Sequence, residues 1–174
     1  MALAVAPAWP VLCLRTRRPI SPTARGCPRT AGPRDSLVDM YVGQTAQRTR
    51  QVTSRDIELF TELTGDRNPL HYDEQAALRS RFGGLIVQGG VTSGLLNALV
   101  AEDLPGPGSV FLHVDWNFRA PVRPGDEITA EAEVLAIKDD KPICTLRTTI
   151  TNQDGTVVLD GTALVYQEPL SPGS

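Results

Sequence analysis

Residues 83–104 read GGLIVQGGVTSGLLNALVAEDL, and much of the architecture follows from them. Apolar side chains recur here at helical spacing, while small residues occupy most of the positions between them; the apolar set is Val91, Leu95, Leu96, Leu99 and Val100. A helix with so little polar surface is stable only when it is buried on most sides. This stretch therefore predicts a long central helix that other elements must cover.

The segments after this helix have a different period. Beyond the PGPG turn at residues 105–108, apolar residues alternate with mostly polar ones, which predicts a strand whose apolar face carries Val110, Leu112, Val114, Trp116 and Phe118. Turn residues at 124–126, 139–141 and 152–155 introduce three further segments, EITAEAEVLAI, ICTLRTTI and VVLDGTALVY. We predict four strands, the last three following by hairpins as an antiparallel meander.

A central helix followed by strands that wrap it is an α+β arrangement, the hot-dog fold. The sequence has no internal repeat, so we predict a single unit. The outer strand edge of such a sheet can pair with that of a second copy, and a homodimer is expected. The predicted limits are 1–39 for a disordered tail rich in Arg and Pro, 40–168 for the folded domain and 169–174 for a disordered C-terminal tail. The N-terminal tail is expected to be either transit-like or the result of a start codon assigned too far upstream, with Met40 opening the domain.

Two short helices are predicted before the central one. The segment SRDIELFTELT has Thr53 or Ser54 as its N-cap and stops at Gly65. Asp73 is placed to cap a second helix that runs to Arg81. Between the two helices residues 65–71 read GDRNPLH, which contains one of the two histidines of the chain.

The GDRNPLH segment holds the best candidates for chemistry, Asp66 and His71. Because Asn68 precedes Pro69, the backbone at this step is extended, so we expect a loop rather than a helix face to present the two side chains. A carboxylate and an imidazole that share one water molecule form a general acid/base pair. The alternative is an ordinary turn, since Asp, Asn, Pro and Gly are all common turn residues.

Several segments together resemble one family. The segments are FTELTGDRNPLHYD at 60–73, the glycine after IVQ, LPGPGSVFLHVDWNFRAPVRPGDEITAEAEV at 104–134 and DKPICTLRTTI at 140–150. In this order they resemble the MaoC-like (R)-specific enoyl-CoA hydratases, also called hydratase 2 proteins, from about residue 41 to residue 168. Motif and context together carry more weight than a short motif does alone.

The resemblance implies reversible syn addition of water to a trans-2-enoyl-CoA, giving the (R)-3-hydroxyacyl-CoA, with no metal or redox cofactor. Asp66 and His71 would hold the water, and Asn68 would fix the loop or bond to a catalytic side chain. The amide of Gly89 would stabilise the negative charge on the thioester oxygen, helped by the helix dipole. One departure is Gln88, where many relatives carry His; His113 matches no catalytic position and is expected to be solvated or at an interface.

The substrate carrier is CoA in this interpretation, with an acyl carrier protein as the close alternative. The acyl chain is expected in a tunnel between the central helix and the strand that begins near Val110, with Arg79, Arg81 or Lys141 near a phosphate at its mouth. A hot-dog thioesterase is a different enzyme class, which does not need the Asp-x-Asn-Pro-x-His segment. A non-catalytic acyl-thioester-binding protein is expected to lack Asp66 or His71, and both are present.

Charge and cysteine usage limit the other function classes. Residues 1–34 contain six Arg and no acidic residue, which leaves a net charge of −9 for the remainder and argues against nucleic acid as a partner. Neither a membrane span nor a secretory signal is predicted, so a cytoplasmic protein is expected, or an organellar one such as mitochondrial if residues 1–39 act as a transit peptide. Cys13, Cys27 and Cys144 have no metal-binding spacing, and we expect Cys144 to be a buried apolar residue.

Overall fold

The computed structural model describes residues 40–170, so the predicted tail at 1–39 and the last four residues of the C-terminal tail lie outside the described residues. The predicted domain limits stay predictions. The elements in chain order are β1 (Thr45–Gln51), α1 (Ser54–Thr64), α2 (Pro69–Tyr72), α3 (Glu74–Arg79), α4 (Gly89–Glu102), β2 (Ser109–Phe118), β3 (Glu127–Ile137), β4 (Ile143–Asn152) and β5 (Val157–Gln167).

The strands form one antiparallel sheet of five strands in the order β1-β3-β4-β5-β2. The predicted meander is correct for β3, β4 and β5. The prediction that β2 also belongs to this meander is wrong, because β2 pairs with β5 at the far edge of the sheet. The edge of β3 that β2 would have needed is occupied by β1, whose residue Arg50 lies opposite Ile128.

Strand β1 was not predicted from the sequence. Its residues TAQRTRQ contain a single apolar side chain, Ala46, and only that residue packs toward the core. An edge strand with one polar residue after another has no period of two in hydrophobicity. Its pairing with β3 therefore comes from backbone hydrogen bonds, from cross-strand side-chain bonds such as the one between Thr49 and Thr129, and from Val52, which is buried directly after the strand.

The apolar face of β2 differs from the prediction because the strand contains a bulge. The register shifts between Phe111 and His113, so one extra residue moves the side chains before it to the opposite face. Phe111 therefore lies on the same face as Trp116, and the two rings meet edge to face with centroids 5.7 Å apart. Four of the five residues predicted on the apolar face are exposed, namely Val110, Leu112, Val114 and Phe118, and the bulge accounts only for the first two.

Helix α4 packs against the sheet, as predicted for the central helix. Leu96 and Leu99 are fully buried, and the sheet presents small residues opposite them, including Ala130 and Ala132 in β3. Small side chains at this contact allow helix and sheet to approach closely. Within residues 40–170 no helix is long and apolar enough to cross a membrane.

The two short helices are also present. Thr53 and Asp56 form the capping box of α1, and Gly65 ends that helix with φ at 78°, a left-handed conformation that favours glycine. Asp73 caps α3 by accepting a hydrogen bond from the Ala76 amide. Helix α3 ends at residue 79 and not at the predicted residue 81.

Candidate active site

The GDRNPLH segment is shaped by its own side chains. Asp66 Oδ1 accepts a hydrogen bond from the Asn68 amide at 3.1 Å, and Asn68 Oδ1 accepts one from the Leu70 amide at 3.1 Å. Asn68 is extended, as predicted, with ψ at 129°. The prediction that a loop presents His71 is wrong, because Pro69 begins the one-turn helix α2; the fixed φ of proline suits the first helical position.

Asp66 and His71 lie side by side. His71 Nε2 is 3.6 Å from Asp66 Oδ2, and the His71 side chain is only 8% exposed whereas that of Asp66 is 39% exposed. His71 Nδ1 lies 2.8 Å from the carbonyl oxygen of Ile86. A carbonyl can only accept, so Nδ1 carries a proton and donates it, which leaves Nε2 of the neutral imidazole as an acceptor facing Asp66.

Gly89 is the first residue of α4, so its amide has no acceptor within the helix. Among residues 40–170 no other backbone or side-chain group accepts a hydrogen bond from this amide. A Cβ atom at position 89 would lie 3.1 Å from Cε1 of Phe118, and one at Gly90 would collide with the ring of Phe60. Position 90 therefore needs the small volume of glycine, whereas a side chain at position 89 would require the exposed Phe118 ring to shift slightly.

The Gly89 backbone lines an open pocket of about 400 Å³. Thr92 of α4 and Phe118 of β2 also line it, so the pocket lies between the two elements that were predicted to line the acyl tunnel. Of the three cations predicted to meet a phosphate, Arg81 lines this pocket. Arg119 also lines it and forms an ion pair with Asp160 at 2.9 Å.

Two roles were predicted for Asn68: fixing the loop, or bonding to a catalytic side chain. Its side chain accepts from Leu70 N and so caps α2, which corresponds to fixing the segment rather than bonding to a catalytic side chain. No residue pattern predicts the Ile86 carbonyl that orients His71, because a backbone contact depends on the fold and not on the residue type. Within residues 40–170 no cluster of His, Cys, Asp and Glu is arranged to hold a metal ion.

Two further candidates lie apart from this site. His113 is exposed on the outward face of β2, as expected for a solvated or interface residue. Cys144 is buried in β4, and burial raises the pKa of its thiol to about 11. A thiol with such a pKa is a poor nucleophile near neutral pH, so the prediction of a buried apolar residue is confirmed. Cys13 and Cys27 lie outside the described residues.

Comparison with known proteins identifies the family. The MaoC like domain family matches residues 40–155 of the chain. The chain belongs to this family. The solved structure of the (R)-hydratase from A. caviae involved in PHA biosynthesis superposes with a TM-score of 0.72 at 38% identity and covers 75% of this chain and 98% of that one. The predicted membership of the MaoC-like family and the predicted hot-dog fold are therefore confirmed.

Two curated relatives extend the comparison. The (R)-specific enoyl-CoA hydratase of Aeromonas caviae is 39% identical over 130 residues, which cover 75% of this chain and 97% of that protein. The mitochondrial 3-hydroxyacyl-[acyl-carrier-protein] dehydratase FERN of Solanum lycopersicum is 32% identical over 126 residues, which cover 71% of this chain and 75% of that protein. Hydratases and dehydratases run one reaction in opposite directions, and the predicted class, a hydro-lyase, is confirmed.

Proposed function

We propose that this MaoC-like protein catalyses the reversible hydration of trans-2-enoyl-CoA to (R)-3-hydroxyacyl-CoA. The observation that carries the proposal is the 3.6 Å separation of His71 Nε2 and Asp66 Oδ2. Both atoms are hydrogen-bond acceptors when His71 is neutral and Asp66 is ionised. One water molecule can donate a proton to each of them, and its lone pair is then free to attack Cβ of the enoyl group.

The reaction needs one water molecule and no other reactant. As the water oxygen bonds to Cβ, one of its protons passes to Asp66 or His71, and the electron pair of the double bond moves toward the thioester oxygen. The open amide of Gly89 donates to that oxygen while the charge is there. A proton is then delivered to Cα from the same pair of side chains, so hydrogen and hydroxyl add to one face. We propose no metal or redox cofactor.

The proposed carrier is CoA, and Arg81 is the residue proposed to meet its phosphate. Arg81 lines the same pocket as Gly89, which places a guanidinium beside the path that a thioester arm would take. The alternative is an acyl carrier protein, the carrier named for the Solanum relative. Replacing Arg81 by Ala should raise KM for a CoA thioester with little change in kcat, because a contact with the distant phosphate is the same in ground and transition states.

We also propose a homodimer formed through β2. This strand pairs with β5 on one side only, and its exposed side chains include Val110, Leu112 and Phe118. An open strand edge with apolar residues is a surface that a second copy can cover. Light scattering of the wild-type protein should give twice the chain mass, and Leu112→Asp should shift the protein toward monomer. If the wild-type protein and the variant are both monomers, this interface is rejected.

The protein is proposed to act in the cytoplasm. Mitochondrial import is the alternative, supported by the mitochondrial name of the Solanum relative and by the Arg-rich composition of residues 1–39. Fusing residues 1–39 to a fluorescent reporter in a eukaryotic cell separates the two. A diffuse reporter supports the cytoplasm, and a mitochondrial one supports import.

Absorbance of the conjugated enoyl thioester tests the function. Purified protein should consume crotonyl-CoA and give (R)-3-hydroxybutyryl-CoA on chiral analysis. Crotonyl-acyl carrier protein, assayed in parallel, decides between the carriers by the ratio of the two kcat/KM values. Release of free thiol would favour a thioesterase, and no turnover of either carrier or of longer enoyl chains would favour a binding protein.

A further inference from the structure

Gln88 is a buried polar residue that the proposed mechanism leaves unused. It is the N-cap of α4 and only 2% exposed, yet its side chain does not cap the helix. Its Nε2 instead donates to Thr61 Oγ1 at 3.1 Å and to the carbonyl oxygen of Ile57 at 3.3 Å, both in α1. The side chain is therefore directed toward α1, while the amide of the next residue, Gly89, is the open one described above.

The direction of these hydrogen bonds is determined by their partners. The hydroxyl of Thr61 has one proton, which it donates to the carbonyl oxygen of Asp66 at 2.6 Å. Thr61 must therefore accept from Gln88, and the order is Gln88 to Thr61 to Asp66. The hydroxyl of Tyr72 also contacts Thr61 and lies 3.2 Å from the Ile57 carbonyl, which closes a ring of polar contacts.

We propose that Gln88 is a positioning residue, which sets the Gly89 amide relative to the Asp66–His71 pair through Thr61. The Gly89 N–H belongs to the peptide unit that begins at the Gln88 carbonyl, so a change in the backbone ψ of Gln88 turns that N–H. The same residue is connected through Thr61 to the backbone of Asp66. One side chain thus joins the two halves of the site, an inference that rests on the proposed hydratase function.

Glutamine suits this position because its amide nitrogen has two protons for two acceptors. Both bonds persist at every pH, whereas a neutral imidazole has a single N–H. Among residues 40–170 no donor reaches Gln88 Oε1, so the side chain remains buried with an unsatisfied acceptor. Such a group is costly and calls for an explanation, and its connection to the site supplies one.

Gln167 provides a matched control elsewhere in the protein. It is buried at the end of β5, its Nε2 donates to the carbonyl oxygen of Pro105 at 3.2 Å, and within the described part of the chain its Oε1 also has no partner. Gln88→Met and Gln167→Met remove the same groups and keep the same volume. They differ in what the glutamine is connected to.

Steady-state kinetics with crotonyl-CoA separate positioning from a purely structural role. We expect Gln88→Met to lower kcat about 10- to 100-fold with KM within about threefold, since small misplacements of reacting groups have effects of that size. Gln88→His should recover part of this loss by restoring one donor. Gln167→Met should keep kcat within about twofold of wild type, even if both Met variants lose similar thermal stability.

Thr61 tests the same connection from its other end. Thr61→Val should lower kcat by a similar factor, and Thr61→Ser should restore it. Thr61→Val already disconnects Gln88 from Asp66. The double variant Gln88→Met/Thr61→Val should therefore have a kcat only slightly below that of the slower single variant. Equal kcat in Gln88→Met and Gln167→Met, or losses that multiply in the double variant, would overturn the proposal. The Thr61 pair carries the test if Gln88→Met does not fold.

Failure of the proposed function is visible separately, in wild-type protein that does not turn over enoyl thioesters. In that case backbone amide NMR tests the connection without catalysis. Gln88→Met should then shift the resonances of Gly89, Asp66 and Asn68, and Gln167→Met should not. Unchanged resonances at residues 66–68 in Gln88→Met would overturn the proposal.

Discussion

The sheet with its central helix and the segment that carries the site are held together by different interactions. In the sheet, side chains such as Leu146 and Ile150 are fully buried and the backbone forms continuous ladders. In the site segment, Asp66 and Asn68 are at least partly exposed and are held by side-chain bonds to backbone groups. Substitutions in the first region should therefore reduce stability, and substitutions in the second should reduce rate.

The largest expected effect is on rate, in Asp66→Asn and His71→Gln. Each removes one member of the proposed acid/base pair, and we expect kcat to fall about a hundredfold to ten-thousandfold. Asparagine keeps an oxygen for the Asn68 amide, so the segment should stay folded. Turnover and thermal unfolding of the same samples check this. A large fall in melting temperature would contradict the separation of the two regions.

The reverse behaviour is expected for Leu146→Ala in β4. This side chain is fully buried, and its truncation should lower the free energy of unfolding by about 2–5 kcal/mol while kcat per folded molecule stays the same. Urea unfolding measures the first quantity and initial rates the second. Leu63→Ala is the control, because Leu63 in α1 is exposed. A loss as large as that of Leu146→Ala would remove the distinction.

A smaller effect is expected at Asn68, where the site segment contributes to its own stability. Asn68→Ala removes the cap of α2 and should lower the free energy of unfolding by about 1 kcal/mol. Because the same cap holds the turn between Asp66 and His71, kcat should fall as well. Asn68→Ser keeps an acceptor oxygen and should retain most of both quantities. Equal losses in Ala and Ser would show that the cap is not the cause.

The smallest effect concerns Cys144, whose thiol should be unreactive near neutral pH. Burial raises the pKa of its thiol to about 11, so iodoacetamide at pH 8 should label it slowly in folded protein and rapidly in urea, as peptide mapping can show. Above the pKa of the unfolded thiol, the unfolded state loses the proton first. Stability should therefore fall as pH rises from about 9 toward 11. Rapid labelling of folded protein would contradict the burial.

The sequence predicted those parts of the molecule in which residue type determines local structure. Thr53 and Gly65 bound α1 as predicted, because capping and left-handed glycine are local effects. Asp66, His71 and Gly89 could be named as site candidates because their segments resemble a family.

The remaining features depend on contacts between distant segments. Strand β1 has no apolar period, so only its pairing with β3 defines it. The bulge between Phe111 and His113 changes which side chains of β2 point inward, and no residue type in this segment predicts it. The hydrogen bond from Gln88 to Thr61 joins residues that lie 27 positions apart. Patterns within one segment do not contain such information.

Hydration of crotonyl-CoA in D₂O tests the account most directly. His71 Nε2 and Asp66 Oδ2 lie 3.6 Å apart. If this one pair directs the hydroxyl to Cβ and also supplies the deuteron to Cα, both groups should be added to the same face of the double bond. Proton NMR coupling between C2 and C3 distinguishes the diastereomers of the product. The account predicts a single syn product with the (R) configuration at C3. Anti addition, or deuterium distributed over both faces of C2 before exchange, would contradict it.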